Sequence, residues 1–136
     1  MPGVLALKID PHSHVPIYLQ IVDQVHAAVA AGVYRPGEPL PAQRTLALSL
    51  GVNPNTVQKA FDELERRELV VPRRGVGMFV ADRGTASARN HTLESVEDHF
   101  RRGIVAAKEA SLPGERARDV FEKVFRQEFR QIKEPR

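Results

Sequence analysis

A connection of three residues, Gly51-Val52-Asn53, separates two short helical patterns and constrains the fold more than any other feature of the sequence. Gly51 is a typical helix stop, Asn53 is a typical N-cap, and Pro54 suits the first turn of the helix that follows. In that second helix the apolar residues recur with the spacing of one buried face: Val57, Ala60, Phe61 and Leu64. Two helices joined so tightly predict a helix-turn-helix.

Patterns on both sides of this pair predict the rest of a small domain. An amphipathic helix is expected from Pro16, with apolar residues at every fourth position: Ile17, Ile21, Val25 and Val29. The shorter helix before the connection is expected to open at Pro41. Residues 5–9 alternate apolar and polar, which predicts a short strand. Apolar runs at 69–71 and 78–80 bracket a basic tip, which predicts a hairpin and therefore a winged helix-turn-helix over residues 1–82.

The remaining residues, 83–136, have a different composition. Residues 83–91 are small and polar and are interpreted as a linker, and two helical patterns follow, from Thr92 to Ala110 and from Gly114 to Lys133. A two-helix appendage cannot bury both of its apolar faces by itself, so we expect residues 92–136 to dimerise. The residues expected in that contact are Phe100, Ile104, Phe121, Val124, Phe125 and Phe129. A pocket for an unknown small-molecule effector is the alternative use of these aromatics. The predicted fold class is mostly α with a small β-wing.

Charge and composition exclude several classes of protein. The net charge is +3, but residues 1–82 carry eight basic and eight acidic side chains, so the excess lies in residues 83–136. An argument for nucleic acid must therefore rest on where the charges lie. The absence of cysteine excludes disulfides, thiolate metal sites and cysteine nucleophiles. No segment has the pattern of a membrane span or a signal peptide, so a cytoplasmic location is expected.

The first turns of the helix that begins at Pro54 have the residue types that read DNA. Because Val57 and Phe61 face inward, the side chains expected to point outward near the N-terminus are Asn55, Thr56, Gln58 and Lys59. Amides bond adenine, threonine contacts the thymine methyl, and lysine reaches guanine or phosphate. The acids of this helix lie in its later turns, and Arg73 and Arg74 occupy the hairpin tip. This arrangement favours a regulator that binds double-stranded DNA.

Four linked motifs also resemble the DNA-binding domain of the GntR family of transcription regulators. They are PIYLQI at 16–21, GVYRPGEPLP at 32–41, GVNPNTVQKA at 51–60 and RRGVGMFV at 73–80. The match runs in unbroken order over about residues 5–82, and the short two-helix tail resembles the YtrA subfamily.

The resemblance implies roles for particular positions. Arg44 matches an arginine that contacts DNA, Asn55, Thr56 and Gln58 match recognition-helix contacts, and Gly75 matches the tip of the wing. Asn53, within the third motif, is a further candidate DNA-binding residue. The resemblance to the YtrA subfamily also implies repression of a neighbouring transporter operon. A homodimer paired through the tail about a two-fold axis is expected to bind an inverted-repeat operator with half-sites about 10 bp apart.

The chain departs from the family pattern at four positions. Ala42 and Thr45 stand where the family often has Ser-x-x-Glu, and Ala42 removes a hydroxyl that could bond phosphate. Glu68 stands where glycine is common, before the hairpin. Pro54 replaces an arginine of some other subfamilies, which argues against a direct guanine contact there.

Other functions are less well supported by the residues. His12 and His14, with Glu94, Asp98 and His99, do not make a complete ligand set, so no metal and no cofactor are expected. There is no catalytic triad order, phosphate loop or carboxylate pair, so the chain is not expected to be an enzyme. A winged helix that binds another protein is the alternative function. RNA binding is disfavoured because no exposed stacking aromatics are predicted.

Overall fold

The computed structural model describes residues 6–130. Within that range the chain forms five helices and one hairpin of two strands. In chain order they are α1 (Ile17–Ala30), α2 (Gln43–Leu50), α3 (Pro54–Arg66), β1 (Val70–Arg73), β2 (Gly77–Val80), α4 (Gly84–Glu109) and α5 (Gly114–Phe129). The predicted fold class, mostly α with a small β-wing, is confirmed. No helix among the described residues is long and apolar enough to span a membrane.

The predicted apolar faces form one core. Helix α1 buries Ile21, Val22, Val25 and Val29, and α3 buries Val57, Ala60, Phe61 and Leu64. Helix α2 adds Leu46 and Ala47, and the hairpin adds Val70 and Val80. Because each element contributes one apolar face, the opposite faces of α2 and α3 remain free for other contacts.

The connection between α2 and α3 has the local chemistry that the sequence predicts. Gly51 adopts a left-handed conformation with φ +66°, which ends α2 at no steric cost. The Asn53 side chain accepts a hydrogen bond from the Asn55 backbone N–H at 2.8 Å, and Pro54 is the first residue of α3. Helix α2 begins at Gln43 rather than at Pro41, because Ala42 keeps an extended backbone with ψ 144°.

The predicted N-terminal strand is not present in residues 6–10, and Leu5 lies outside the described residues. The segment runs along α1, and glutamine side chains replace a neighbouring strand. Gln24 bonds both backbone groups of Lys8, at 2.9 and 2.7 Å, and Gln20 bonds both of Asp10, at 2.8 and 2.9 Å. The predicted alternation of buried and exposed side chains is present, since Leu7 and Ile9 pack on the core. The backbone hydrogen bonds that a neighbouring strand would make are supplied by side-chain amides.

Strand β2 of the hairpin forms backbone hydrogen bonds along both of its edges. Strands β1 and β2 are antiparallel, with Val70 opposite Val80 and Arg73 opposite Gly77. The strands are thus longer than predicted, and the loop is only residues 74–76. On its other edge β2 bonds the segment before α2, where the Leu40 N–H donates to the Met78 carbonyl at 2.8 Å. The wing is therefore held at its base while its tip projects.

Residues 83–91, predicted to form a linker, are helical from Gly84 onward in the structure. Their small side chains permit close packing instead of flexibility. A Cβ on Gly84 would lie 2.8 Å from the Leu69 carbonyl oxygen, and Ala88 is fully buried. Arg89 then donates from Nε to the carbonyl of Ala30 at 3.0 Å, at the end of α1. Small residues can thus indicate a tight helix contact as well as a linker.

The chain divides into two compact units, an N-terminal unit (Met1–Leu93) and a C-terminal unit (Glu94–Arg136). In the C-terminal unit the end of α4 and α5 are joined by the predicted turn, where the Leu112 N–H donates to the Ala107 carbonyl at 2.9 Å. Helix α5 ends at Phe129, and Ile132 and Lys133 of the predicted helix lie outside the described residues. The assignment of DNA binding to residues 1–82 and of dimerisation to residues 92–136 stays a prediction.

Candidate nucleic-acid interface

The N-terminal turns of α3 present polar side chains away from the core. Asn55, Gln58 and Lys59 are exposed, and Thr56 is half-buried. Their direction follows from the buried stripe, because Val57 and Ala60 are completely enclosed on the opposite face. The structure therefore brings together the four candidate residues of this helix as the sequence predicts. Asn53 lies beside them with its side-chain oxygen occupied as the N-cap.

Two of these side chains are held by neighbours. Gln58 donates from Nε2 to Oδ1 of Asp62 at 2.8 Å, one turn further along the helix. Lys59 places its ammonium over the ring of Tyr18, 4.1 Å from the ring centroid, which is a cation–π contact. In the sequence, Tyr18 stands out only as part of the PIYLQI motif at 16–21. No local pattern pointed to its contact with a residue 41 positions later.

Arg44 lies exposed on α2, outside the core. Gln43, which the sequence analysis did not single out, ties the start of α2 to α3 by donating from Nε2 to the Pro54 carbonyl at 2.8 Å. This bond fixes the N-terminal ends of the two helices against each other. Ala42 and Thr45 are also exposed, so replacing the family's serine and glutamate costs the core nothing.

The tip of the wing is basic and exposed. Arg73, Arg74 and Gly75 are all solvent-accessible, and Gly75 has φ +76°, a conformation that favours glycine. The Arg73 guanidinium lies over the Phe79 ring, 4.1 Å from its centroid. The direct cross-strand partner of Arg73 is Gly77, which has no side chain, so the guanidinium lies diagonally over Phe79.

Two of the three acidic residues of α3, Asp62 and Glu63, are engaged within the protein. Glu63 accepts hydrogen bonds from Nε of Arg66 at 2.8 Å and from Nε of Arg67 at 3.0 Å. The bond from Arg66 is the main cause that holds the pKa of Glu63 below its usual range. The charge of Glu63 is thus balanced locally, and Asp62 is bonded to Gln58. These pairings reduce the repulsion that a phosphate backbone would meet on this helix.

A polar cluster that the sequence analysis missed lies around His26 on α1. The Nε2 atom is 2.8 Å from the Ala88 carbonyl oxygen and 2.9 Å from Oγ1 of Thr92. The His91 ring lies perpendicular to the His26 ring, with centroids 6.0 Å apart. Burial lowers the pKa of His26 below its ordinary value, and the nearby Arg67 acts in the same direction. A single histidine in an apolar helix pattern gives no signal of such distant partners.

The residues predicted to dimerise lie together on the C-terminal unit. Phe100 meets Phe121 edge to face, with ring centroids 5.6 Å apart, and Phe125 stacks on Phe129 at 4.5 Å. These rings are 45–54% exposed, and Ile104 and Val124 are exposed as well. The face is an open surface and not an enclosed cavity. Within residues 6–130, no group of three histidine, aspartate or glutamate side chains lies close enough to hold a metal ion.

Comparison with known proteins agrees with this geometry. The family model described as bacterial regulatory proteins, gntR family, matches residues 17–80. The chain is 30% identical over 118 residues to the HTH-type transcriptional repressor YtrA of Bacillus subtilis, which covers 87% of this chain and 91% of that protein.

Two solved structures extend the likeness beyond the sequence. A transcriptional regulator from Oenococcus oeni has a TM-score of 0.70 and 31% identity, over 88% of this chain and 98% of that one. YtrA from Sulfolobus acidocaldarius, a GntR-family transcription factor, has a TM-score of 0.58 and 35% identity, over 70% of this chain and 97% of that one. These relatives are transcription regulators and not enzymes. The chain belongs to the GntR family of bacterial transcription regulators.

Proposed function

We propose that the chain binds operator DNA in a sequence-specific manner, with residues 54–59 in a major groove and residues 73–75 at a flanking groove or phosphate. The observation that carries this proposal is the exposed N-terminal end of α3, where Asn55, Gln58 and Lys59 face solvent beside a helix N-terminus. Recognition helices contact base edges with that end, and unpaired N–H groups there favour phosphate. Arg44 and the arginines of the wing supply cations on either side.

The proposed assembly is a homodimer formed through the C-terminal unit. Its apolar residues, Phe100, Ile104, Phe121, Val124, Phe125 and Phe129, all lie in the open on the monomer. An exposed aromatic surface of this kind is typical of a protein contact, and it offers no enclosed volume for a small effector. A two-fold dimer calls for an inverted-repeat operator with half-sites roughly one helical turn, or about 10 bp, apart.

The proposed biological role is repression. Its support is the similarity to the Bacillus subtilis repressor YtrA along nearly the whole of both chains. The resemblance to the YtrA subfamily favours a transporter operon as the target.

The first test is a titration of the purified protein against the DNA upstream of its own gene and against an unrelated duplex of equal length, each at two salt concentrations. We expect preferential binding to the upstream duplex, with affinity that falls steeply with salt because bound phosphates release counterions. Absence of binding to both duplexes at low salt would contradict the proposal. It would favour the second candidate, a protein-binding winged helix, which the equal numbers of basic and acidic residues in 1–82 support.

The docking orientation is tested by single substitutions. Arg44→Ala and Lys59→Ala should each weaken binding about 5- to 150-fold, the loss expected for one DNA contact of about 1–3 kcal/mol. Arg118→Ala is the matched control, because Arg118 is an exposed arginine of the C-terminal unit outside the proposed DNA surface. Unchanged affinity for both test variants would show that α2 and α3 do not dock as proposed.

The proposed dimer is tested by sedimentation equilibrium of Phe121→Asp. The charge that this substitution places on the apolar face should dissociate the dimer.

A further inference from the structure

Lys59, the candidate DNA-binding cation of α3, lies against an aromatic ring and not against a carboxylate. Its helical neighbours at i+3 and i+4 are Asp62 and Glu63. Asp62 is bonded to Gln58 at 2.8 Å, and Glu63 is bonded to two arginines. Among the described residues Lys59 forms no salt bridge, and its ammonium lies 4.1 Å from the centroid of the Tyr18 ring.

Packing against the core restricts the position of the Tyr18 ring beneath that ammonium. Tyr18 belongs to the first turn of α1, is half-buried, and packs against the buried core beside Ile17. Lys59 itself is exposed, and an exposed lysine side chain otherwise samples many rotamers. The contact therefore joins a fixed ring of α1 to a flexible cation on the outer face of α3.

An aromatic ring and a carboxylate have different consequences for a cation beside them. A carboxylate neutralises the charge, so an anionic ligand must displace it before it can bind. A ring attracts the ammonium through its quadrupole and leaves the net charge intact. Lys59 is thereby held in place while its positive charge remains available to a phosphate.

We propose that Tyr18 is a positioning residue for DNA binding: its ring holds the Lys59 ammonium at the α1 side of the recognition helix, ready for a backbone phosphate. This inference rests on the proposed function and adds a role in DNA binding for a residue of α1. The partner is a phosphate of either strand, so the contribution is independent of base sequence.

The test is a double-mutant cycle with Tyr18→Leu, Lys59→Met and the double variant, with Tyr18→Phe as the matched control that keeps the ring. Affinity is measured for the upstream duplex and for an unrelated duplex over a range of salt concentrations. Lys59→Met should reduce affinity about eightfold per contact at about 0.1 M salt and lower the salt slope by about 0.9. Tyr18→Leu should reduce affinity about two- to fivefold, the size of an exposed cation–π contact, and should add no loss in the Lys59→Met background.

Three results separate this inference from simpler explanations. Tyr18→Phe should bind like the wild type, and a loss equal to that of Tyr18→Leu would assign the effect to the hydroxyl and overturn the inference. Additive losses in the double variant would also overturn it, since a purely structural role of Tyr18 would weaken binding whether or not Lys59 is present. Unfolding curves of all variants identify any loss of fold.

A measurement without DNA keeps the inference separate from the proposed function. The ring should shift the Lys59 Cε proton resonances upfield in the free protein, and Tyr18→Leu should abolish that shift while Tyr18→Phe retains it. Absence of the shift in the wild type would overturn the positioning role even if DNA binds. No binding of the wild type to either duplex would overturn the proposed function, and the phosphate role of Lys59 with it.

Discussion

The N-terminal and C-terminal units use their apolar residues in opposite ways. In the N-terminal unit Phe61 is 3% exposed and lies in a continuous core, whereas Phe125 in the C-terminal unit is 45% exposed. Helix α5 has a clear apolar face, yet none of its residues is buried. The first unit thus gains the free energy of apolar burial within one chain, whereas the second leaves its apolar face exposed on the monomer.

The largest expected difference between the units concerns these two phenylalanines. Phe61→Ala should destabilise the N-terminal unit by about 3–5 kcal/mol, because it removes a buried ring and leaves a cavity. Phe125→Ala should cost the isolated chain only about 0.5–1.5 kcal/mol, the value of its ring contacts. Urea unfolding by circular dichroism at low protein concentration measures both. Equal losses under those conditions would mean that the two units do not differ in internal packing.

Two glycines of α4 sharpen the comparison, since they should respond to the same substitution with opposite signs. Gly84→Ala should destabilise the protein by about 1–3 kcal/mol, because the added Cβ meets the Leu69 carbonyl oxygen at 2.8 Å and a methyl of Val80 at 3.1 Å. Gly103→Ala should stabilise it by up to about 1 kcal/mol, because nothing lies within 4 Å and alanine favours the helix. Urea midpoints at constant m-value measure both effects. A stabilised Gly84→Ala variant would show that α4 does not pack tightly there.

A smaller effect should be the same in both units, because it depends on the backbone alone. Glu68 before the hairpin and Ser111 between α4 and α5 have φ of +61° and +57°. Glu68→Gly and Ser111→Gly should each stabilise by about 0.5–1 kcal/mol, the cost of a left-handed residue less the entropy of glycine. Glu65→Gly, within α3, is the control and should destabilise by about 1 kcal/mol. Thermal unfolding measures all three, and destabilisation by Glu68→Gly would contradict the argument.

The elements that the sequence predicted well are those set by local chemistry. The buried stripe of α3, the cap at Asn53 and the turn at Gly51 each follow from neighbouring residues, and the outward direction of Asn55 and Gln58 follows from the stripe. The resemblance to a known family supplied Arg44, which no local pattern would have selected. The glycine expected at Glu68 corresponds to the positive φ found there.

The errors and omissions share a different cause, which is packing between distant segments. The small residues at 83–91 predict a linker, but small residues fit a helix packed against Leu69 equally well, and the structure has that helix. Residues 5–9 alternate like a strand, but Gln20 and Gln24 of α1 take the place of a partner strand. The contacts of Tyr18 with Lys59 and of His26 with Ala88 join segments far apart in the chain, so periodicity could not reveal them.

The smallest of the expected effects concerns pH and belongs to the N-terminal unit alone. His26 joins α1 to the start of α4, with Nε2 bonded to the Ala88 carbonyl and Nδ1 3.4 Å from Nη1 of Arg67. Since an arginine can only donate, the neutral ring with its proton on Nε2 fits both partners. Burial, helped by Arg67, lowers the pKa of His26 below its ordinary value of 6.5. In the range between the lowered pKa and 6.5, the unfolded chain binds more protons than the folded one.

Because the folded state has the lower pKa, the contribution of His26 to the free energy of unfolding is fully present above its ordinary pKa. That contribution is lost as the pH falls towards the lowered pKa. The urea midpoint of the wild type should therefore decrease as the pH falls below the ordinary pKa of 6.5, and His26→Gln should reduce that dependence. Titration of the His26 Cε1 proton by NMR locates the pKa directly. A pKa above 6.5, or a wild-type midpoint that rises on acidification, would contradict the neutral ring. The helix contact at Ala88 would then depend on a charged histidine, and the N-terminal unit would gain stability in acid instead of losing it.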